Sequence, residues 1–476
     1  MRLRAWQSAC ISQAKQHFAR GMRHFLCLAT PGAGKTHMAS TLAADLLTTG
    51  QIDLVICFAP SVIVANDFRD ALEAMCGERF DGQLGARGTA LTYQAMLTQP
   101  ESFWALLRNN RVLVIFDEIH HCAGQDPSDA NAWGERIITH VQNQAAFTLA
   151  LTGTPWRSDQ RPIALARYGN DTVECDYRYG LDRAITDAVC RIPVLTLIDN
   201  EYVTLHTSDS SRAFSSLKNL LSARVCSYED VLRSGDMIRY CLKKATDKLD
   251  QVRKQHPNAG GLIVAASVEH AHQISNLLHS TFGESACIAT YQEADAQGII
   301  RRYKQGAGKW IISVGMISEG TNIPRLRVCC HLTRIKTELY FRQVLGRILR
   351  AKGIQGDQAY FYMPAEPTLV EYANRLIEDV PDIHTVIRDF GPSIATTGDL
   401  DIQPVNTTIR VTAGGANIIE MGGTVTMKQD CSSNDTRTES LPSSIVSANY
   451  ENRLAWSEQF RGDVLSVLGI PSHLKT

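Results

Sequence analysis

VLVIFDEIHH, residues 112–121, is the stretch whose reading decides the fold. Its five apolar residues run on without alternation, the pattern of a strand covered on both faces in a parallel sheet. The run ends in two adjacent carboxylates, Asp117 and Glu118. Sheets of this kind bind ligands just outside the carboxyl ends of their strands, so the acid pair marks a candidate site.

Working outward, the same pattern recurs in HFLCLAT at 24–30, LVICFAP at 54–60 and FTLALTGTP at 147–155. The first of these passes through Pro-Gly-Ala-Gly into THMASTLAADLLTTG, a helix-compatible stretch stopped by Gly50. Strand, loop and helix in alternation predict an α/β unit around a parallel sheet. A second series starts after Pro193 with VLTLID at 194–199, continues through a largely helical region from about Ser210 to His256, and resumes with GGLIVAAS at 260–267, WIISVG at 310–315 and VCCHLT at 328–333. Two α/β sheets in tandem are expected. The boundaries read as 1–185 for the first unit, 186–257 for a connector, 258–390 for the second unit and 391–476 for a C-terminal extension. In that extension NTTIRVT and TVTMKQ are candidate edge strands and residues 429–447 a linker. Leu454, Trp456, Phe460, Val464 and Val467 stand at helical spacing and predict a docking helix over 450–468.

Bulk properties agree with a large globular chain. With 476 residues there is room for about three domains. Lys plus Arg number 48 and Asp plus Glu 49, so nothing in the total demands a polyanionic partner, although a basic track along one cleft would not show in that sum. The 13 cysteines follow no C-x-x-C pairing, which predicts a reduced, intracellular, cytoplasmic setting, and the adjacent Cys329 and Cys330 read as core residues. No apolar run approaches the ~18 residues of a membrane helix, so no membrane partner is expected. Arg2, Arg4, Lys15, Arg20 and Arg23 precede the first acidic residue, Asp45, like a transit peptide, yet the loop near residue 29 needs a strand and a helix before it. The basic start is therefore assigned to the folded unit. His270 and His272, two apart on a helix, cannot share a ligand.

ATPGAGKT at 29–36 fits G-x-x-x-x-G-K-[ST] except that Ala29 replaces the first glycine. Pro31, Gly32, Ala33, Gly34, Lys35 and Thr36 then form the candidate nucleotide cradle, with backbone N–H groups at a helix N-terminus facing the phosphates. Lys35 would reach the β and γ phosphates of ATP. The Thr36 hydroxyl and Asp117 would hold Mg²⁺, and Glu118 would polarise the attacking water.

At this point the residues carry a resemblance. Asp117, Glu118, Ile119 and His120 form a D-E-x-H that resembles the DEAH-type signature of helicase superfamily 2. LRAWQ at 3–7, LTGTP at 151–155, VGMISEGTNIP at 314–324 and QVLGRILR at 343–350 resemble further motifs of that family, in its order. The resemblance implies two tandem RecA-like domains closing over one ATP. It implies that Gln7 reads the adenine, that His120, Thr152, Gly153 and Thr154 couple the ATP state to a nucleic-acid cleft, and that Gly320 and Asn322 line the nucleotide, Asn322 standing where an Asp is common. Gln343, Arg347 and Arg350 would complete the catalytic set, the arginines as fingers on the γ-phosphate. Spacing of i, i+3, i+4 and i+7 puts Gln343, Gly346, Arg347 and Arg350 on one helical face. Pro60, Ser61, Thr92, Tyr93, Gln94, Ser267 and Gly315 fall at family positions that touch the phosphate backbone. Trp156 reads as a base-stacking or hinge aromatic, and Arg334 and Lys336 as track or solvated residues.

Within the superfamily, YGLDRAITDAVCRIP at 179–193 and TRIKTELYFRQVLGRILR at 333–350 most resemble the motor subunits of type I and type III restriction enzymes, the ResIII-like branch, over residues 1–367. That implies an ATP-dependent translocase with DNA favoured over RNA, acting in repair, branch remodelling, restriction or phage defence, with a nuclease or methyltransferase as a possible partner. A nonmotile ATP-dependent switch acting on a protein partner is the alternative.

Overall fold

The computed structural model describes residues 3–128, 130–154, 161–170, 172–206, 210–317, 323–351, 353–378, 454–457 and 460–466. Its first half is a six-stranded sheet built from β1 (His24–Ala29), β2 (Leu54–Ala59), β3 (Gly88–Thr92), β4 (Val112–Phe116), β5 (Phe147–Thr152) and, after a short hairpin of β6 (Arg167–Gly169) and β7 (Thr172–Glu174), β8 (Tyr177–Tyr179). The order is β3-β2-β4-β5-β1-β8, and every pairing is parallel.

The unbroken apolar runs have the physical cause expected of them. On β4, Leu113 and Ile115 enter one buried cluster, while Val112, Val114 and Phe116 enter another on the opposite face. Successive strand residues point to opposite sides, so a sheet covered by helices on both faces needs every position apolar. The helices Ala5–Ala19 and Lys35–Thr48 contribute Trp6, Cys10, Met38 and Leu42 to the first cluster. Tyr93, Met96, Trp104 and Ile137 from three shorter helices fill the second.

The second sheet contains β9 (Ile192–Asn200), β12 (Gly260–Ala265), β13 (Ala286–Thr290), β14 (Trp310–Val314), β15 (Leu326–Leu332), β16 (Gln358–Pro364) and β18 (Phe460–Ser466), in the order β13-β14-β12-β15-β16-β9-β18. All pairings are parallel except that of β18 with β9. Cys329 and Cys330 on β15 are fully buried. β9 lies inside the segment expected as a connector, and so do β10 (Val203–His206) and β11 (Ser211–Phe214), which form a three-stranded sheet with β17 (Leu454–Trp456) in the order β11-β10-β17. The helical stretch begins only at Leu217 and ends in the 21-residue helix Gly235–Gln255, which packs on β15 and β16.

The docking helix expected over 450–468 is corrected: its described residues form strands β17 and β18. Leu454 and Trp456 satisfy a period of two as well as a helical one, and what decides between them is the pair of open edges that the folded chain presents, β10 to β17 and β9 to β18. Phe460 stacks on Tyr240 at 4.5 Å, and the Trp456 indole donates to Ser234 Oγ at 2.6 Å. NTTIRVT, TVTMKQ and the 429–447 linker lie outside the described residues. Among the described residues no helix is long and apolar enough to cross a membrane.

Candidate functional site

The site forms where β1, β5 and β4, neighbours in that order, end at one edge of the first sheet. From β1 the chain enters the loop 30–34, in which Gly32 and Gly34 adopt left-handed backbone at φ +86° and +96°. Only glycine takes that conformation cheaply. Gly34 caps the helix Lys35–Thr48, so the loop ends in a helix N-terminus with N–H groups free of intrahelical partners. The Gln7 amide donates to the Gly34 carbonyl at 2.9 Å and accepts from the Arg4 N–H at 2.8 Å, while Arg4 donates to Ala33 O at 2.6 Å. Gln7, expected to read the adenine, is brought to the phosphate loop, where both ends of its amide are engaged in bracing it.

The Lys35 ammonium lies 3.0 Å from Glu118 Oε1 and donates to Ala29 O at 3.3 Å. Glu118 sits at φ +51°, a left-handed position that costs a non-glycine residue roughly 1–2 kcal/mol and aims its carboxylate back across the strand ends. Its Oε2 accepts the Gly153 N–H at 3.1 Å and is 3.4 Å from His120 Nδ1. Burial pushes the Glu118 carboxyl up, but Lys35, His120 and the Gly153 N–H together hold it well below the usual carboxylate range. The group is therefore an anion at neutral pH.

Thr152 Oγ1 lies 2.7 Å from Thr154 O, which it can donate to, and accepts the Thr154 N–H at 3.1 Å. His120 Nδ1 lies 3.0 Å from the same oxygen, and its other neighbour, the Glu118 carboxylate, can only accept, which suits a proton on Nδ1. One hydrogen-bonded chain thus runs from Lys35 through Glu118, Gly153 and His120 to Thr152 and Thr154, uniting all four expected coupling residues. Asp117 is held by its main chain, which donates to Phe58 O at 2.9 Å and accepts the Tyr93 hydroxyl at 2.8 Å. Thr36 is the second residue of the helix Lys35–Thr48. A hydroxyl and a carboxylate are hard oxygen donors, and so few of them suit Mg²⁺, which keeps waters and substrate phosphates as its other ligands.

The second unit closes the site. Gly346 of the helix Glu338–Ile348 packs on the loop so tightly that a Cβ there would stand 2.5 Å from Pro31 Cβ. Arg350 lies against Gly32, and burial lowers the pKa of its guanidinium. Gln343, Gly346 and Arg347 share that helix, as expected, but the four-residue helical face is corrected. The helix ends at Ile348, and Arg350 is held instead by an antiparallel bridge to Cys190.

The residues assigned to a nucleic-acid face are less uniform. Ser61 and Ser267 follow β2 and β12, Thr92 ends β3, and each caps the next helix, accepting N–H bonds at 3.4, 3.1 and 3.1 Å in the order Ser61, Thr92, Ser267. Pro60 precedes the first of these caps, Gln94 is exposed, and Gly315 is exposed with φ +71°. Tyr93 is a correction: it is fully buried, its ring stacks on Trp133 at 5.6 Å and its hydroxyl bonds Asp117 O, so its side chain braces the acid pair instead of meeting a strand of nucleic acid. Lys336 pairs with Glu366 at 3.0 Å and Arg334 lies 3.8 Å from Glu229. Trp156, Gly320 and Asn322 lie outside the described residues. Sequence reading gave no role to Arg4, within LRAWQ, whose side chain braces the loop, or to Arg191, within YGLDRAITDAVCRIP.

The fold and site define a tandem RecA-like protein with a phosphate loop in one sheet and basic residues brought to it from the other. Residues 1–157 match the family described as type III restriction enzyme, res subunit. An uncharacterized protein of Mycobacterium tuberculosis (strain CDC 1551 / Oshkosh) is 30% identical over 396 residues, which is 79% of this chain and 63% of that protein. The DNA 3'-5' translocase XPB2 of Sulfurisphaera tokodaii is 22% identical over 72% of this chain and 78% of its own. Among solved structures, a fragment of a putative HsdR subunit of a type I restriction enzyme from Vibrio vulnificus superposes with a TM-score of 0.54 at 16% identity, covering 78% of this chain and 65% of that one. The chain has the tandem RecA-like fold, and it is similar to that family over residues 1–157 and to the mycobacterial relatives over most of its length. It spans less than two thirds of the length of the mycobacterial relatives it matches.

Proposed function

We propose that the chain is an ATP-hydrolysing translocase on nucleic acid, with DNA favoured over RNA. The observation that carries this reading is the composite ATP site. The phosphate loop, Lys35, Thr36, Asp117 and Glu118 come from the first sheet, while Arg350 reaches Gly32 from the second, with Arg347 on the adjoining helix. ATP, bound with Mg²⁺ on Thr36 and Asp117, supplies the phosphoryl group and the charge that draws the units together. Glu118, anionic and anchored by Gly153, orients the attacking water; Lys35 leaves its pairing with Glu118 for the phosphates; Arg347 and Arg350 stabilise charge on the leaving γ-phosphoryl oxygens. The chain of bonds from Glu118 through His120 to Thr152 and Thr154 passes the state of the site to the strand ends where Ser61, Ser267 and Gly315 lie, and helix N-termini there offer N–H groups to phosphates without reading bases. The preference for DNA rests on the translocase relative, and the twelve described cysteines, none of them in a disulfide, suit a cytoplasmic setting.

Displacement of a triplex-forming oligonucleotide from duplex DNA tests movement directly. The reading predicts ATP-dependent displacement that Lys35→Ala abolishes. Hydrolysis with no displacement on any duplex would instead support a nonmotile switch. A second reading, a motor subunit within a restriction or defence assembly that includes a nuclease or methyltransferase, is favoured by the greater length of the relatives and by the restriction-enzyme family match.

A further inference from the structure

We infer that Arg191 is the positioning residue that sets Arg350 over the phosphate loop, and that it ties the segment joining the two sheets to the arginine-finger helix. The inference rests on the ATPase reading above. Arg191 is 2% exposed. Its donors are spent on four partners that surround the finger segment. Nε reaches Asp357 Oδ2 at 2.8 Å, one terminal nitrogen reaches both Leu326 O and Ile348 O at 2.8 Å, and the other reaches Pro324 O at 3.1 Å.

Ile348 is the last residue of the finger helix, so the guanidinium caps the C-terminal carbonyl end, where a cation also complements the helix dipole. Pro324 and Leu326 end the motif-like stretch 314–324 and open β15. The main chain adds a second grip: the Arg191 N–H donates to Leu349 O at 2.6 Å and the Ala351 N–H donates to Val189 O at 3.2 Å, one on each side of Arg350. Between them Cys190 Sγ lies 3.7 Å from Pro31 O of the phosphate loop. Residues 189–191 therefore touch the loop and the finger at once, just before the chain enters β9.

Burying a guanidinium is costly, and here it shares one carboxylate with a second, since Arg327 also pairs with Asp357. An apolar residue would fill the volume without that cost, whereas only a planar fork with five donors can join three carbonyls and a carboxylate from separate segments. The arrangement is suited to geometry more than to stability.

The test is Arg191→Lys, which keeps the charge and loses the fork, compared with the unsubstituted chain, Lys35→Ala and Arg350→Lys. Nucleic-acid-stimulated ATP turnover, affinity for a fluorescent ATP analogue and melting temperature are measured for each. We expect kcat to fall by about 10²-fold, as for a displaced catalytic group, with nucleotide affinity within about threefold of the parent. In single-turnover measurements Arg191→Lys combined with Arg350→Lys should be no slower than the slower single variant, because both substitutions disable one finger. Multiplicative losses, unaltered kcat, or parallel losses of affinity and kcat would each overturn the inference. If Arg191→Lys does not fold, Asp357→Asn releases the guanidinium from its other side and must show the same kcat-selective loss in a folded protein; parental kcat there also overturns it. Absence of turnover in the unsubstituted chain contradicts the ATPase reading itself, a result distinct from parental behaviour in the variants.

Discussion

Arg350 lies across Gly32: a Cβ placed on Gly32 would stand 2.7 Å from Arg350 Cγ, although the two residues belong to loops at the edges of different sheets. Two substitutions follow from this contact. Arg350→Ala should leave nucleotide binding in place and lower turnover by about 10³-fold or more, the usual scale for a lost arginine finger. Arg347→Ala is expected to act in the same direction, and full turnover in either variant removes that residue from the mechanism.

Gly32→Ala adds a methyl group where φ is +86° and Arg350 already occupies the space. The backbone strain alone amounts to roughly 1–2 kcal/mol. The variant should lose turnover more than it loses stability, read by comparing kcat with the melting temperature. A fall in melting temperature with kcat intact would mean that Arg350 and Gly32 need not meet.

Glu118→Gln retains size and loses the anion facing Lys35. Turnover should fall by about 10²- to 10⁴-fold, the range for a missing general base, while binding of an ATP analogue persists. Chelation of divalent ions should stop turnover in the parent, because Thr36 and Asp117 supply only two ligands. Turnover at the parental rate in Glu118→Gln would assign the water to another group.

The strands beside the site were legible in the sequence because burial on both faces leaves an unmistakable mark: the β1, β2, β4, β5, β12, β14 and β15 runs all became strands. Lys35 and Glu118 were both assigned to one site, since both motifs follow strands of one sheet, but their pairing at 3.0 Å was not foreseen. What the sequence hid depends on partners far along the chain. Asn200 and Ser457, 257 positions apart, are hydrogen-bonded at 2.9 Å beside the point where β18 adds to β9, and nothing local to 454–466 announces that edge. The role of Arg191 was hidden for a related reason, as its partners are mostly main-chain carbonyls, which no side-chain pattern records. Tyr93 was placed on the nucleic-acid face by family position alone, and its hydroxyl partner, Asp117 O, is main chain and so leaves no mark in the sequence.

Buried histidines make stability depend on pH. Burial lowers the pKa of His331 to about 3 and of His270 to about 4, both below the ordinary value of 6.5. Below pH 6.5 the unfolded chain binds protons that the folded one refuses, so stability is fully present above that pH and falls as the pH drops toward the folded values. At pH 5 each histidine contributes a loss of about 2 kcal/mol. His331→Phe should flatten the decline in melting temperature between pH 7 and 5; an unchanged slope would show that His331 is not kept neutral by the fold.

The C-terminal strand should support the second sheet. Phe460→Ala removes the ring stacked on Tyr240 and should lower unfolding free energy by about 1–3 kcal/mol. Denaturant unfolding reads the change, and parental stability would show that β18 adds nothing to the fold.

The central claim, a composite ATP site driven by nucleic acid, is tested most directly by steady-state ATP turnover, alone and with single-stranded, duplex and branched DNA and RNA, at low and physiological salt. Strong stimulation by DNA, abolished in Lys35→Ala, is the predicted result. A rate unchanged by every nucleic acid, or one that survives Lys35→Ala, would contradict the account.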